Sequence, residues 1–118
     1  MAEVAEKRRI LIVEDEVGLR RSLARYLESR GDSVMQAGCL AEAKIYLDRH
    51  DFDVVVLDVG LPDGDGLTLL QSTGAERSLV ITAIPDPDRF ARSGVRRHLT
   101  KPLDLIEFAC EVHRLAEA

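Results

Sequence analysis

Three apolar runs in this chain end at side chains able to do chemistry. ILIVEDE closes on Glu14 and Asp15, VVVLD closes on Asp58, and HLTKP presents Lys101 just before Pro102. Four or five apolar residues stopping at a carboxylate describe a buried strand that delivers its last side chain to the rim of a sheet, where water and ligands reach it. Three carboxylates and one ammonium are therefore expected in one pocket. Such a set repels itself unless a cation intervenes, since like charges a few ångströms apart push one group toward protonation. All-oxygen ligation with this many carboxylates favours Mg2+, which keeps several waters and sits on one or two carboxylates plus phosphate oxygens. Ca2+ would want more ligands. The DGDG of Asp63 to Gly66 echoes a fragment of a calcium loop, but the remaining ligand positions do not follow it.

Asp58 is the candidate nucleophile, because an aspartyl oxygen can attack a phosphoryl group and form an acyl phosphate. Mg2+, the Lys101 ammonium, the Thr82 hydroxyl at the end of SLVIT and loop N–H groups near Val59 and Gly60 are the kinds of group that stabilise charge on the transferred oxygens. That step needs no general base, and no histidine stands at a strand end beside Asp58. Taken singly, each residue has a plainer reading: a surface acid after a strand, a loop-capping aspartate, a β-branched strand residue, a solvated lysine. Their shared placement at strand ends is what favours a site.

Periodicity defines the elements that must position them. Strands are expected at Arg9 to Glu14, Ser33 to Ala37, Asp53 to Asp58, Ser78 to Ala83 and, more weakly, Arg97 to Thr100. A helix over Glu16 to Arg30 puts Leu19, Leu23, Tyr26 and Leu27 on one face, and a second over Leu40 to His50 turns Leu40, Ala43 and Leu47 inward. A short helix is expected at Gly66 to about Thr73 and a brief one within Pro85 to Gly94. A last one runs from Leu103, striped by Leu105, Phe108, Ala109, Val112 and Ala116. GLPDGDG after Asp58 reads as a loop. Five β-α units with near-continuously apolar strands imply an α/β fold, a doubly wound five-stranded parallel sheet with helices on both faces and right-handed crossovers. In such sheets ligands bind beyond the carboxyl ends of the strands, at the topological switch point.

Composition sets the outer limits. At 118 residues the chain suffices for one domain with a real core and not for two, so residues 1–8 read as a polar tail and 9–118 as the domain. No stretch approaches the roughly 20 apolar residues that span a bilayer. MAEVAEKRR lacks the apolar core of a secretion signal, so a cytoplasmic protein without membrane contact is expected. Cys39 and Cys110 lack ligand spacing and read as buried free thiols. A formal net charge of −5 argues against general affinity for nucleic acid. Arg89, Arg92, Arg96 and Arg97 form a local basic cluster, read as a solvated face or a docking patch because no aromatic residues interleave it. His50 and His113 fall on helices and read as surface residues without a role.

At these residues the sequence resembles the receiver domain of bacterial two-component response regulators over nearly its whole length. The carrying motifs are Glu14–Asp15, Asp58 with LPDGDGL after it, Thr82 with small Ala83, and Lys101–Pro102, in order and at workable spacing. The resemblance implies the flavodoxin-like strand order 2-1-3-4-5. It also implies that Asp58 accepts a phosphoryl group from a phosphohistidine on a histidine kinase or phosphotransfer protein. Mg2+ would be held by Glu14, Asp15, Asp58 and the backbone carbonyl of Gly60. Lys101 would pair with the phosphoryl oxygens, Thr82 would turn inward to bond them, and the Lys101–Pro102 bond would be cis. Output in the family runs from Thr82 to the residue three before the lysine, usually an aromatic ring that swings inward. Here that residue is His98, which fills a ring's space and adds pH sensitivity. Gly60 and Ile84, each two positions past a pocket residue, would tune water access to the phosphoryl group.

The chain would then be a signalling switch rather than an enzyme, catalysing only its own phosphotransfer and slow self-hydrolysis. Its output would pass to a downstream protein or to a linked effector domain outside these residues, with a phosphorylation-dependent homodimer also compatible. Thr82 follows Asp58 by 24 positions and Lys101 follows Thr82 by 19, both shorter than in typical receivers. Shortened third and fourth helices are therefore expected, and with them an unusual output face. Other readings stay open. One is a module of the same fold, no longer phosphorylated, that signals through a partner interface alone. Another is a small aspartyl-phosphate phosphatase, which usually needs a second aspartate where Gly60 stands. A flavodoxin-like redox carrier would want a Ser/Thr/Gly-rich loop after the first strand, and EDEVG there would repel a phosphate.

Overall fold

The apolar runs become strands covered on both sides. The computed structural model describes residues 7–117. In it β1 (Arg9–Val13), β2 (Ser33–Ala37), β3 (Val54–Asp58), β4 (Ser78–Thr82) and β5 (His98–Thr100) form one parallel sheet. The spatial order is β2-β1-β3-β4-β5, with β3 central as its composition predicts. Between the strands lie α1 (Val17–Ser29), α2 (Leu40–Arg49), α3 (Leu70–Thr73) and α4 (Pro87–Ser93), and α5 (Leu105–Glu117) closes the chain.

Strand side chains alternate between two apolar layers. Ile10, Ile12, Val54, Val56, Leu79 and Ile81 pack under α1 and α5. Leu11, Val13, Val55, Leu57 and Val80 pack against α2, α3 and α4 on the other face. Both faces being covered, β3 and β4 are buried along their whole length, whereas the edge strands β2 and β5 stay partly open. Helix ends follow local chemistry. Glu16 caps α1 by accepting from the N–H groups of Gly18 and Leu19, and Gly31 beyond its other end takes a φ of +93° that side chains disfavour. Asp86 caps α4, with Pro87 at its first turn.

The two short spacers appear where expected. α3 is a single turn preceded by a 3-10 turn at Gly66–Leu69, and α4 spans two turns. The segment after Asp58 is more ordered than a plain loop, for Gly60–Leu61 and Gly64–Asp65 pair as a small antiparallel ladder and Leu61 is buried.

Some packing expectations need correction. Leu105 is exposed at the start of α5, and Leu115 completes the buried stripe instead. Neither cysteine is buried. Cys39 is half-buried at the N-cap of α2 and Cys110 lies on the outward face of α5, both as free thiols. His113 is not idle: its Nε2 lies 2.6 Å from Asp32 Oδ2, and Arg8 Nε donates to Oδ1 of the same fully buried carboxylate at 2.6 Å. Of the expected polar tail, residues 1–6 lie outside the described residues, while Arg8 is bonded into the fold. Among the described residues no helix is long and apolar enough to cross a membrane.

Candidate functional site

The carboxyl ends of β1, β3 and the segment after β5 bring the acids and the lysine together at the switch point. Oxygens of Glu14, Asp15 and Asp58, one from each, lie within 4.8 Å of one another. Glu14 is fully buried and all its polar groups are engaged. Its N–H donates to Ala37 O at 3.0 Å, Oε2 accepts from Glu16 N at 3.1 Å, and Oε1 accepts from Lys101 Nζ at 2.5 Å. Lys101 also stands 3.4 Å from Asp58 Oδ2. Its peptide bond to Pro102 is cis.

These contacts decide the charge state of the lysine. Burial draws the Lys101 ammonium down, but the hydrogen bond it donates to Glu14 and the charges of Asp58 and Glu14 together outweigh it, so its pKa lies above the ordinary lysine value. Lys101 is therefore a fixed positive charge aimed at the space in front of Asp58.

The acids divide by availability. Asp58 reaches the rim with 9% of its side chain exposed, and its Oδ1 receives only a long 3.4 Å contact from Gly60 N. Asp15 is exposed, with no hydrogen bond to its carboxylate among the described residues. Asp15 and Asp58 thus have oxygens to offer a cation, while Glu14, occupied by Lys101 and Glu16, supplies charge from beneath. An all-oxygen donor set of this kind fits a hard divalent ion such as Mg2+.

Around the acids, Thr82 is buried at the end of β4, and its Oγ1 donates to Ile84 O and accepts from Ile84 N, each at 3.2 Å. It is turned along its own loop. Ile84 itself is 83% exposed. Gly60 is exposed, and a Cβ added there would meet nothing within 4 Å. His98 is not brought to the acids: it lies on the exposed edge of β5, its ring centroid 5.2 Å from that of Phe90 on α4. Arg92, Arg96 and Arg97 are exposed, Arg97 pairing with Glu111 at 3.4 Å, so most of the arginine cluster is a solvated face, while Arg89 is half-buried.

Sequence reasoning missed the residues that brace the loop after Asp58. Asp63 reaches back to cap α2, its Oδ1 accepting from Leu40 N at 2.8 Å and Oδ2 from Ala41 N at 3.0 Å. Those two backbone donors hold its carboxyl below the usual carboxylate range. Asp65 caps the following turn through Leu67 N and pairs with Arg89 of α4. Gly66 sits so close beneath the phosphoacceptor candidate that an added Cβ would fall 1.9 Å from Asp58 O. The signal in the sequence was DGDG itself, whose regular acid and glycine spacing reflects capping and close approach rather than metal ligation.

Fold and site together define a flavodoxin-like, doubly wound α/β domain with an oxygen-lined acid pocket at its switch point. The chain belongs to the response regulator receiver domain family, which it matches over residues 10–113. It is 35% identical over 114 residues to the virulence transcriptional regulatory protein PhoP of Salmonella typhimurium (strain LT2), covering 91% of this chain and 51% of that protein. The transcriptional regulatory protein PhoP of Escherichia coli (strain K12) is 32% identical over the same coverage. The chain therefore spans about half the length of these relatives. Among solved structures it resembles the non-phosphorylated HemR receiver domain from Leptospira biflexa, with a TM-score of 0.81, 32% identity and coverage of 95% and 96% of the two chains. The CheY-like receiver domain from Methanospirillum hungatei JF-1 shares the fold, with a TM-score of 0.86 at 22% identity and 95% coverage of each chain.

Proposed function

We propose that this receiver domain accepts a phosphoryl group on Asp58 from a histidine kinase or phosphotransfer protein, with Mg2+ bound by Asp15 and Asp58, by the backbone carbonyl of Gly60 and through the charge of Glu14. The observation that carries the reading is the placement of the Asp58 carboxylate at the end of the central strand, 3.4 Å from a lysine held cationic and within 4.8 Å of two further carboxylates. An Asp58 oxygen attacks phosphorus as the P–N bond to the donor imidazole breaks. The leaving nitrogen keeps that electron pair, and the ring, protonated on its other nitrogen, departs neutral. Mg2+ would supply charge neutralisation and orient the incoming oxygens. Lys101 pairs with the phosphoryl group, which adds about −1.5 to −2 charges near pH 7, and Thr82 rotates from Ile84 to bond it. His98, now facing outward, is the residue through which that rotation reaches α4 and β5.

In this reading the chain is a cytoplasmic switch and not an enzyme acting on other substrates. Its output goes to a protein or linked effector domain, as the transcriptional regulators among its relatives suggest. The test is incubation with Mg2+ and acetyl phosphate followed by intact mass measurement. One added phosphoryl group is expected on the wild type and none on Asp58→Ala or in excess chelator. An adduct that survives Asp58→Ala would mean that the wrong nucleophile is named. No adduct on the wild type would favour a phosphorylation-independent interaction module.

A further inference from the structure

Asp15 has no hydrogen bond of its own among the described residues, so something else must aim it. Its position depends on the peptide that joins it to Glu14. The N–H of Glu14 is fixed by Ala37, and its carbonyl oxygen accepts from Arg20 Nη1 at 2.9 Å. Arg20 rises from α1, half-buried, and its Nε donates to Gln36 Oε1 of β2 at 3.3 Å. One guanidinium therefore spans α1, the end of β1 and the end of β2. Gly38 makes room for it: a Cβ there would lie 3.1 Å from Arg20 Nη1 and 3.4 Å from Glu42 Oε1. Glu42 itself is fixed by accepting from Gly38 N at 3.0 Å.

We infer that Arg20 is a positioning residue for the acidic pair, orienting the Glu14–Asp15 peptide so that the Asp15 carboxylate meets a divalent cation beside Asp58. The inference rests on the proposed metal site. Its two physical effects have opposite signs, which makes it decidable. As a cation beside a cation site, Arg20 opposes metal binding, and removing its charge by itself should tighten the site. As the clamp on the Glu14 carbonyl, it favours binding, and residues that orient metal ligands in this way typically account for about 10–100-fold in affinity. A lysine keeps the charge but cannot serve Glu14 O and Gln36 Oε1 at once from two ends of a rigid planar group.

The experiment is Mn2+ titration of the full chain by electron paramagnetic resonance, comparing wild type with Arg20→Lys and Arg20→Met. Urea unfolding in chelator would establish that both variants fold. The expected result is weaker binding in both variants, by about tenfold in Arg20→Lys and by less in Arg20→Met, where loss of the charge offsets part of the loss of the clamp, with the acetyl phosphate labelling rate restored by saturating Mg2+. Such a shift in metal dependence without loss of limiting rate is not what a general structural defect produces. Wild-type affinity in Arg20→Lys, or tighter binding in Arg20→Met, would overturn the role. Absence of Mn2+ binding by the wild type would remove the metal site and the inference with it.

Discussion

Replacing Lys101 by Met should destabilise the metal-free protein by about 3 kcal/mol, because it strands the buried carboxylate of Glu14. The ammonium sits 2.5 Å from Glu14 Oε1 and 3.4 Å from Asp58 Oδ2, with 22% of its side chain exposed and none of the Glu14 side chain exposed. At an effective dielectric near 20, the two attractions amount to roughly 7 and 5 kcal/mol before desolvation. Most of that is offset by taking three ions partly out of water, yet removing one member of a buried pair typically costs about 3–5 kcal/mol because the partner's desolvation remains. Urea unfolding followed by circular dichroism measures it. With a slope of about 1.5 kcal/mol per molar, the midpoint should fall by about 2 M. Adding Glu14→Gln to Lys101→Met should recover most of the loss, since no buried charge is then stranded, and Mg2+ should narrow the gap by neutralising the acids another way. A loss below about 1 kcal/mol, or a double variant no more stable than Lys101→Met, would refute the argument that this lysine neutralises Glu14.

Two further outcomes follow from the same geometry. Gly66→Ala places a methyl group 1.9 Å from the backbone oxygen of Asp58, which cannot yield as a flexible side chain would. A loss of about 2–3 kcal/mol and slower acetyl phosphate labelling are expected, whereas Gly60→Ala, with open space around it, should change urea stability by no more than about 0.5 kcal/mol. The pH dependence has a defined sign. Because the folded pKa of Lys101 is raised, its stabilisation is fully present below the unfolded lysine value of about 10.4 and fades as pH rises through the folded value. The stability difference between wild type and Lys101→Met should hold constant from neutral pH to about 10 and shrink above it. A difference that already declines near pH 8 would contradict the raised value.

What was legible in the sequence was what burial on two faces writes there. Ile10 to Val13, Val54 to Leu57 and Ser78 to Ile81 are apolar at nearly every position because helices cover both sides, and the acids stand out because they interrupt those runs. β5 was faint because an edge strand of three residues carries little pattern. Contacts between residues remote in the chain leave no such trace. Asp63 meets α2 across 23 positions and His113 meets Asp32 across 81, and neither aspartate differs in sequence from an ordinary loop acid. Leu105 shares the apolar spacing of α5 yet is exposed, because spacing alone does not tell the first turn of a helix from its buried body. Cys39 and Cys110 depart from the usual burial of cysteine because that preference is a tendency of the residue type and not a property of the position. The outward ring of His98 follows from the open edge of β5, which spacing from Lys101 does not encode.

The carboxylate of Asp32, gripped by Arg8 and His113, lies in the turn between α1 and β2, at the amino ends of the parallel strands and so on the rim remote from Asp58. The first strand and the last helix are fastened together there, away from the acids. Tightening and reactivity are thereby assigned to opposite poles of the sheet. If Asp58 is phosphorylated as proposed, the reactive pole can gain and shed a highly charged group while the Asp32 clasp at the other pole stays closed.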